Sequence, residues 1–440
     1  MNNKLLELAE WTIKTAKNAG ADDCRVTING ERFVEISYRE RKPENIKEAS
    51  TKSLYIEIFK NGKYSGQTTS DLRKEALSNF ISNAVRMTDL LAKDPYRSLP
   101  DKKYYGSIEN IDLELYDEKI KSINPEDRHK LVQTIEDACL SVGGSKVISV
   151  EAGTYDSSFE MVMMTSNGFS GYQNGTVLYA YAGMTARDEG DRRPNGYDYA
   201  LVMKKSELPN PIDIGRNAGK RTLDLFGGKK ISSQKLPIII ENRVVPRILN
   251  GFISAMYGRS IQQKQSFLVD KKNQRIGSEK FTLIDDPFIK GSQGSKLFDN
   301  DGFASKKRIM IENGILKEYY IDWYYSRKMN CEPTTGSPSN IIIPKGNRSI
   351  EEIMRDLGKG ILITDFIGGN SNSTTGDFSV GIIGKLFEKG ELTQSISEMN
   401  IAGNYLEFCQ KLIEVGNDPF IYSSQKTPSL VFNDVMISGV

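Results

Sequence analysis

Alternation of polar and apolar residues, cut by two-residue turn signals, constrains this chain more than any other feature. A pair that tolerates positive φ lets one strand fold back on the next, and Asn-Gly is the strongest such pair. Asn29-Gly30, Asn61-Gly62, Asn167-Gly168, Asn174-Gly175 and Asn313-Gly314 adjoin alternating runs, and Lys389-Gly390 separates two more. The pattern predicts strands at 26–38 (folded about Asn29-Gly30), 54–59, 147–155, 159–165, 172–185 and 197–203. Further strands are expected at 236–241, 308–320, 361–366, 380–387, 392–395 and 430–437.

Helices flank these runs. Leu5, Ala9, Ile13 and Ala16 recur at helical spacing, and Asp71 has the chemistry of an N-cap for a helix reaching Leu91. Asn124-Pro125 opens another with Asn as cap and Pro in the first turn. Pro209 and Pro211 mark the best boundary, followed by helices over 212–226, 246–262 and 404–415. The expected fold is α+β in two domains. Residues 1–208 form an N-terminal α+β domain of sheets flanked by helices, and 209–440 a mainly β domain.

At 440 residues the chain can bury a large core without staples. Lys+Arg number 59 against 57 Asp+Glu, so bulk charge offers no attraction to nucleic acid or anionic membrane. The run 187–193 carries both signs and reads as a solvated loop. No apolar run is long enough to span a bilayer, and no signal-peptide pattern is evident, so a cytoplasmic setting is expected. Cys24, Cys139, Cys331 and Cys409 are scattered and read as free thiols. The single histidine, His129, makes a histidine-based zinc centre or a Ser-His or Cys-His triad hard to assemble. Flanked by Arg128 and Lys130, it reads as a structural surface residue.

Three ordered segments in the second half carry a family resemblance. The first is Phe298-Asp299-Asn300-Asp301-Gly302, running on to Ile311-Glu312-Asn313-Gly314-Ile315-Leu316-Lys317. The second is Thr335-Gly336-Ser337 with Asn340 and Pro344-Lys345-Gly346. The third is Phe366-Ile367-Gly368-Gly369-Asn370, then Thr374-Thr375-Gly376-Asp377-Phe378 and Val415-Gly416-Asn417-Asp418. Together they resemble the TldD/PmbA family, also called modulators of DNA gyrase.

In the TldD branch the resemblance implies a zinc peptidase with H-E-x-x-x-H on a helix and a cysteine near the C-terminus. The matching hexapeptide here is Ser254-Ala255-Met256-Tyr257-Gly258-Arg259. Ser254 and Arg259 stand at the histidine positions, Ala255 at the glutamate, and Thr427 or Pro428 near the cysteine. Arg259 cannot be deprotonated to bind a metal. The pattern looks like the PmbA (TldE) branch, which lacks the metal site. The resemblance implies a non-catalytic subunit with no cofactor of its own, paired with a TldD-like zinc peptidase and handling unfolded peptides. A homodimer, a standalone peptide binder and a metal-independent hydrolase using Ser254 are the alternatives.

Tyr257 and Arg259 are candidates for holding a peptide carboxylate, against a plain packing role for this former catalytic helix. The loops Gly291-Ser292-Gln293-Gly294-Ser295 and Gly368-Gly369-Asn370-Ser371-Asn372-Ser373 lack a P-loop lysine, and are read as peptide contacts, at Gly368, Gly369 and Asn370 in the second, or as plain loops. Asp285-Asp286 and Asp299-Asn300-Asp301 are read as turn chemistry rather than a hard-metal site. Trp323-Tyr324-Tyr325 is read as core or interface packing.

Overall fold

The computed structural model describes residues 3–106 and 111–439. It bears out the mixed α+β fold. Six antiparallel strands form the first sheet in the order Lys63–Thr69, Lys42–Lys60, Asp23–Arg39, Val147–Thr165, Ser170–Ala186 and Asn195–Val202. One face of this sheet is covered by two pairs of helices. Asn3–Asn18 and Lys74–Thr88 bury Val26, Ile28, Leu54 and Ile56. Pro125–Gly143 and Pro211–Leu223 bury Val34, Ile36, Val150 and Ala180. The helix expected beyond the boundary at 208/209 therefore packs on this first sheet. Gly215 allows that packing, because a Cβ there would lie 2.1 Å from the Ile135 carbonyl oxygen.

Several local expectations need correction. Asn29-Gly30 is not a turn. It lies inside the continuous strand Asp23–Arg39, with Asn29 opposite Ser53 on one side and Met161 on the other. The chain reverses instead at Glu40 and Arg41, both at positive φ (54° and 61°). That turn is fixed from outside: Arg41 N donates to Glu136 Oε1 at 2.8 Å, and Arg41 Nε to Asp137 Oδ1 at 3.0 Å. Asn174-Gly175 is likewise internal to Ser170–Ala186, and the expected strands at 147–155 and 159–165 are one strand, Val147–Thr165. Asp71 accepts from Arg73 N in a local turn and stands outside the helix that begins at Lys74. Asn61-Gly62, Asn313-Gly314 and Lys389-Gly390 do turn with both residues at positive φ.

The second half holds two sheets. A small one orders Ile315–Leu316, Arg308–Glu312, Leu283–Asp286, Asn340–Ile342 and Gln425–Lys426. A larger one orders Glu391–Asn404, Asp377–Glu388, Lys359–Ser371, Gln234–Ile240, Leu430–Ser438 and Leu412–Val415. Asn400 and Ile401 also pair with Ser438 and Ile437, which closes five of these strands into a ring around Ile238, Ile361, Ile382 and Phe432. The helix expected over 404–415 is only Tyr405–Gln410, since Leu412–Val415 pairs with Leu430–Ser438 as a strand.

The aromatic run at 323–325 fastens the two halves together. Trp323 Nε1 donates to Ser98 Oγ at 3.0 Å, and Tyr324 OH donates to Asp94 Oδ2 at 2.9 Å. The Arg97 guanidinium sits between the Tyr324 and Tyr64 rings, 3.7 and 4.4 Å from their centroids.

Candidate functional site

The stretch expected as one helix over 246–262 is two, Val245–Ala255 and Gly258–Gln262. Met256 closes the first, and Tyr257 is extended (φ −69°, ψ 138°). Tertiary pairing causes the break: Tyr320 N donates to the Met256 carbonyl at 3.0 Å, and Gly258 N donates to the Tyr320 carbonyl at 2.7 Å. Gly258 eases this approach, because a Cβ would stand 3.1 Å from Tyr325 Cβ and 3.3 Å from Ile321 Cα, a tight fit. Carbonyls freed near the break are satisfied by hydroxyls, with Ser260 Oγ donating to Ser254 O at 3.0 Å and Ser266 Oγ to Ala255 O at 2.6 Å.

The hexapeptide thus straddles a kink. Ser254 and Arg259 are exposed, and Ala255 is fully buried. Ser254 Oγ donates to Asn250 O at 2.7 Å, within its own helix. Thr427 is fully buried, and its hydroxyl donates to Asn242 O at 3.0 Å, before the first turn of Val245–Ala255. Ser254 sits in the last turn of that helix, on the order of 15 Å further on at 1.5 Å per residue. Thr427 therefore lies at the opposite end of this helix from Ser254. Among the described residues no group of three or more His, Cys, Asp and Glu side chains is arranged to hold a metal. The residues at the hexapeptide do not fit zinc.

Tyr257 is half-buried, and its ring packs 5.8 Å from that of Tyr320. Burial first, and then the Asp285 carboxylate, push its phenol above the ordinary value. Gly368 and Gly369 lie at the exposed end of Lys359–Ser371, at φ 55° and 101°. The Gly368 carbonyl accepts from Arg247 Nη2 at 2.9 Å, tying this strand end to Val245–Ala255. Gly369 has a steric reason, since a Cβ would meet Val380 Cγ1 at 2.6 Å and Ser379 O at 2.7 Å. Asn370 is exposed beside it.

Behind the kink lies a buried polar network that the sequence presented only as turns. Asp285, 2% exposed, accepts from Ser339 N at 3.1 Å and from the Ser339 hydroxyl. Burial pushes the Asp285 carboxyl up, against the pull of those donors. Asp299 Oδ1 accepts from Asp301 N and Phe303 N at 2.9 and 3.0 Å, the expected turn chemistry, while Oδ2 accepts from Thr335 Oγ1 at 2.9 Å. Asn340 Oδ1 accepts from Ser292 Oγ at 2.7 Å and Gly294 N at 3.0 Å, so the glycine-rich loop at 291–295 is fastened down. Lys296 Nζ donates to Ser337 O and Oγ and to Pro338 O at 3.1–3.2 Å, and burial lowers its amine below the ordinary value. No local pattern marked Lys296 or Tyr320; their partners are distant in sequence. His129 Nδ1 lies 2.7 Å from the Tyr38 hydroxyl, a half-buried structural contact.

Two family models match the chain, the PmbA/TldA metallopeptidase central domain over residues 118–226 and C-terminal domain over 233–439. The chain is 25% identical to Metalloprotease PmbA of Escherichia coli O157:H7 over 440 residues, covering 99% of this chain and 96% of that protein. A Metalloprotease TldD homolog of Buchnera aphidicola is 26% identical over 238 residues, half of this chain. A crystal structure from Bacteroides thetaiotaomicron, described as a candidate modulator of DNA gyrase, superposes with a TM-score of 0.97 at 35% identity over the full length of both chains. TldE from Thermococcus kodakarensis shares the fold, with a TM-score of 0.87 at 22% identity over 98% of this chain and 100% of that one. The chain belongs to the PmbA/TldD metallopeptidase family.

Proposed function

We propose that this chain is the non-catalytic, PmbA/TldE-type subunit of a two-subunit zinc metallopeptidase acting on unfolded peptides, with the zinc carried by a TldD-like partner. One observation carries the reading: the hexapeptide Ser254 to Arg259 spans a broken helix, with a buried alanine at the general-base position and an exposed permanent cation at a ligand position. The full-length match to a PmbA protein, against a half-length match to a TldD protein, supports the branch. Any influence on gyrase is then indirect, through proteolysis of peptide inhibitors, toxin precursors or antitoxins. The setting is cytoplasmic. We take the chain as two domains, and the packing of the helix Pro211–Leu223 on the first sheet supports a junction after that helix rather than at 208/209.

Pull-down of the tagged chain from its native cell extract, with mass spectrometry and zinc analysis, tests this. The expected eluate holds a stoichiometric partner bearing H-E-x-x-x-H and about one zinc per pair. A zinc-free homodimer without such a partner overturns the proposal and leaves a standalone peptide binder.

A further inference from the structure

A slot of about 140 Å³ opens where the edge strand Asn195–Val202 meets Lys359–Ser371 and Asp377–Glu388. Ligand pockets for whole small molecules run to roughly 300–1,000 Å³. This one has room for a single side chain or chain terminus. Its walls include Tyr197, 45% exposed, and the side chains of Leu362 and Leu392.

The charges around it are unequal. Arg221 is held by Glu241 through bonds of 2.7 and 2.6 Å, and Lys385 is held by Asp224. Asp365 has no ion pair among the described residues; it accepts from Phe366 N at 2.8 Å. Its presence in the slot is the product of a bulge. Ile361 and Ile363 are fully buried, and strict alternation would send residue 365 into the core after them. Ile363 pairs with Gly384 and Asp365 with Ile383, so Thr364 is an extra residue. Bulges re-aim side chains. Phe366 packs against the core instead, and Asp365 lines the slot beside Tyr197.

We infer that this slot takes a primary ammonium group of a peptide, from a lysine side chain or a free amino terminus, held by the Asp365 carboxylate and the Tyr197 ring. An ammonium supplies the direct ion pair that Asp365 lacks, since Arg221 and Arg247 act on it only through space, and is attracted to an aromatic face. Asp365 lies three residues before Gly368, about 10 Å along an extended strand. A peptide beside Gly368–Asn370 can therefore place one group in the slot. The inference rests on the peptide-handling reading above.

The test uses the full-length protein in the assembly in which it is isolated, and three fluorescein-labelled unstructured decapeptides. One is N-acetylated with a central lysine, one N-acetylated with norleucine there, and one carries norleucine and a free amino terminus. Anisotropy is expected to show at least one charged peptide binding about tenfold tighter than the acetylated norleucine peptide, a difference of about 1.4 kcal/mol. The charged peptide that gains identifies the source of the ammonium. Asp365→Asn, which keeps an acceptor for Phe366 N, is expected to abolish that gain and leave the neutral peptide unaffected. Equal affinities, or a gain that survives Asp365→Asn, overturn the slot assignment but leave the peptide reading standing. Binding of none of the three overturns both.

Discussion

Arg25 Nη1 lies 3.0 Å from Asp301 Oδ1 and so joins the first sheet to the second half of the chain. The same guanidinium meets Glu57, whose other oxygen accepts from Tyr64 OH at 2.7 Å. The second Asp301 oxygen accepts from Trp323 N at 2.9 Å. Arg25→Ala leaves two carboxylates facing each other at a buried junction, and is expected to cost roughly 3–5 kcal/mol. Asp301→Asn leaves Arg25 with Glu57, and is expected to cost roughly 1–3 kcal/mol. Urea titration followed by tryptophan fluorescence reads both. A loss below about 1 kcal/mol for Arg25→Ala would class the pair with screened surface bridges.

Gly215 and Gly183 make a matched pair of tests. A Cβ at Gly215 would collide with the Ile135 carbonyl at 2.1 Å and with Ala138 Cβ at 2.9 Å, so the helices must separate. Gly215→Ala should cost about 1–3 kcal/mol or more. At Gly183 the only neighbour within contact range among the described residues is Gly196 O at 3.9 Å. Gly183→Ala should stay within about 0.5 kcal/mol. Similar thermal midpoints for the two variants would contradict the helix-packing account.

Asp285 gives the folded protein a pH dependence of unusual sign. Burial raises its carboxyl, so the folded state keeps a proton that the unfolded chain has lost. The folded state then binds more protons, and this contribution to stability falls as pH rises from the ordinary aspartate value of about 4 through the raised one. Asp285→Asn removes the ionisation while keeping an acceptor for Ser339. The variant should gain on the wild type as pH rises from about 4 to 7. A stability difference independent of pH in that window would show that Asp285 ionises normally.

Restoring the hexapeptide should not restore a metal site. The triple change Ser254→His, Ala255→Glu and Arg259→His puts a carboxylate at a fully buried position and two imidazoles on either side of a kink. Thr427 stays at the far end of the helix. We expect less than about 0.1 zinc per chain after dialysis, since a catalytic zinc site needs its three protein ligands brought together at once. Stoichiometric zinc in the folded variant would mean that the kink does not separate these positions.

Much of the fold was legible in the sequence, and its failures share a cause. Asn61-Gly62 and Asn29-Gly30 look alike locally, yet only the first turns. Val26, Ile28, Val34 and Ile36 share one parity, and all four are buried on the same face. A hairpin about Asn29-Gly30 would have set Ile28 opposite Glu31, so the parity already argued for one long strand. The true turn at Glu40-Arg41 has no favourable turn residue and is set by Glu136, nearly a hundred residues away. The helix over 246–262 had a continuous apolar face, but pairing with Tyr320 breaks it. At the candidate site, the substitutions at Ser254, Ala255 and Arg259 could be read directly. The burial of Asp285, the partial burial of Lys296 and the bulge at Thr364 arise from partners that only the folded chain brings near.

The ring of strands in the second half has a consequence for the order of folding. Gln234–Ile240 lies between Lys359–Ser371 and Leu430–Ser438, with Ile238 opposite both Ile361 and Phe432. Those contacts span about 120 and 190 residues, and such distant pairings are slow to form. The first sheet and its helices are complete by Leu223. During synthesis the first half can therefore finish while Gln234–Ile240 still waits for its neighbours. Its run Ile238-Ile239-Ile240 stays exposed to other chains until residues 430–438 emerge. A nascent chain stalled before that point would carry a folded first half and an open, aggregation-prone strand.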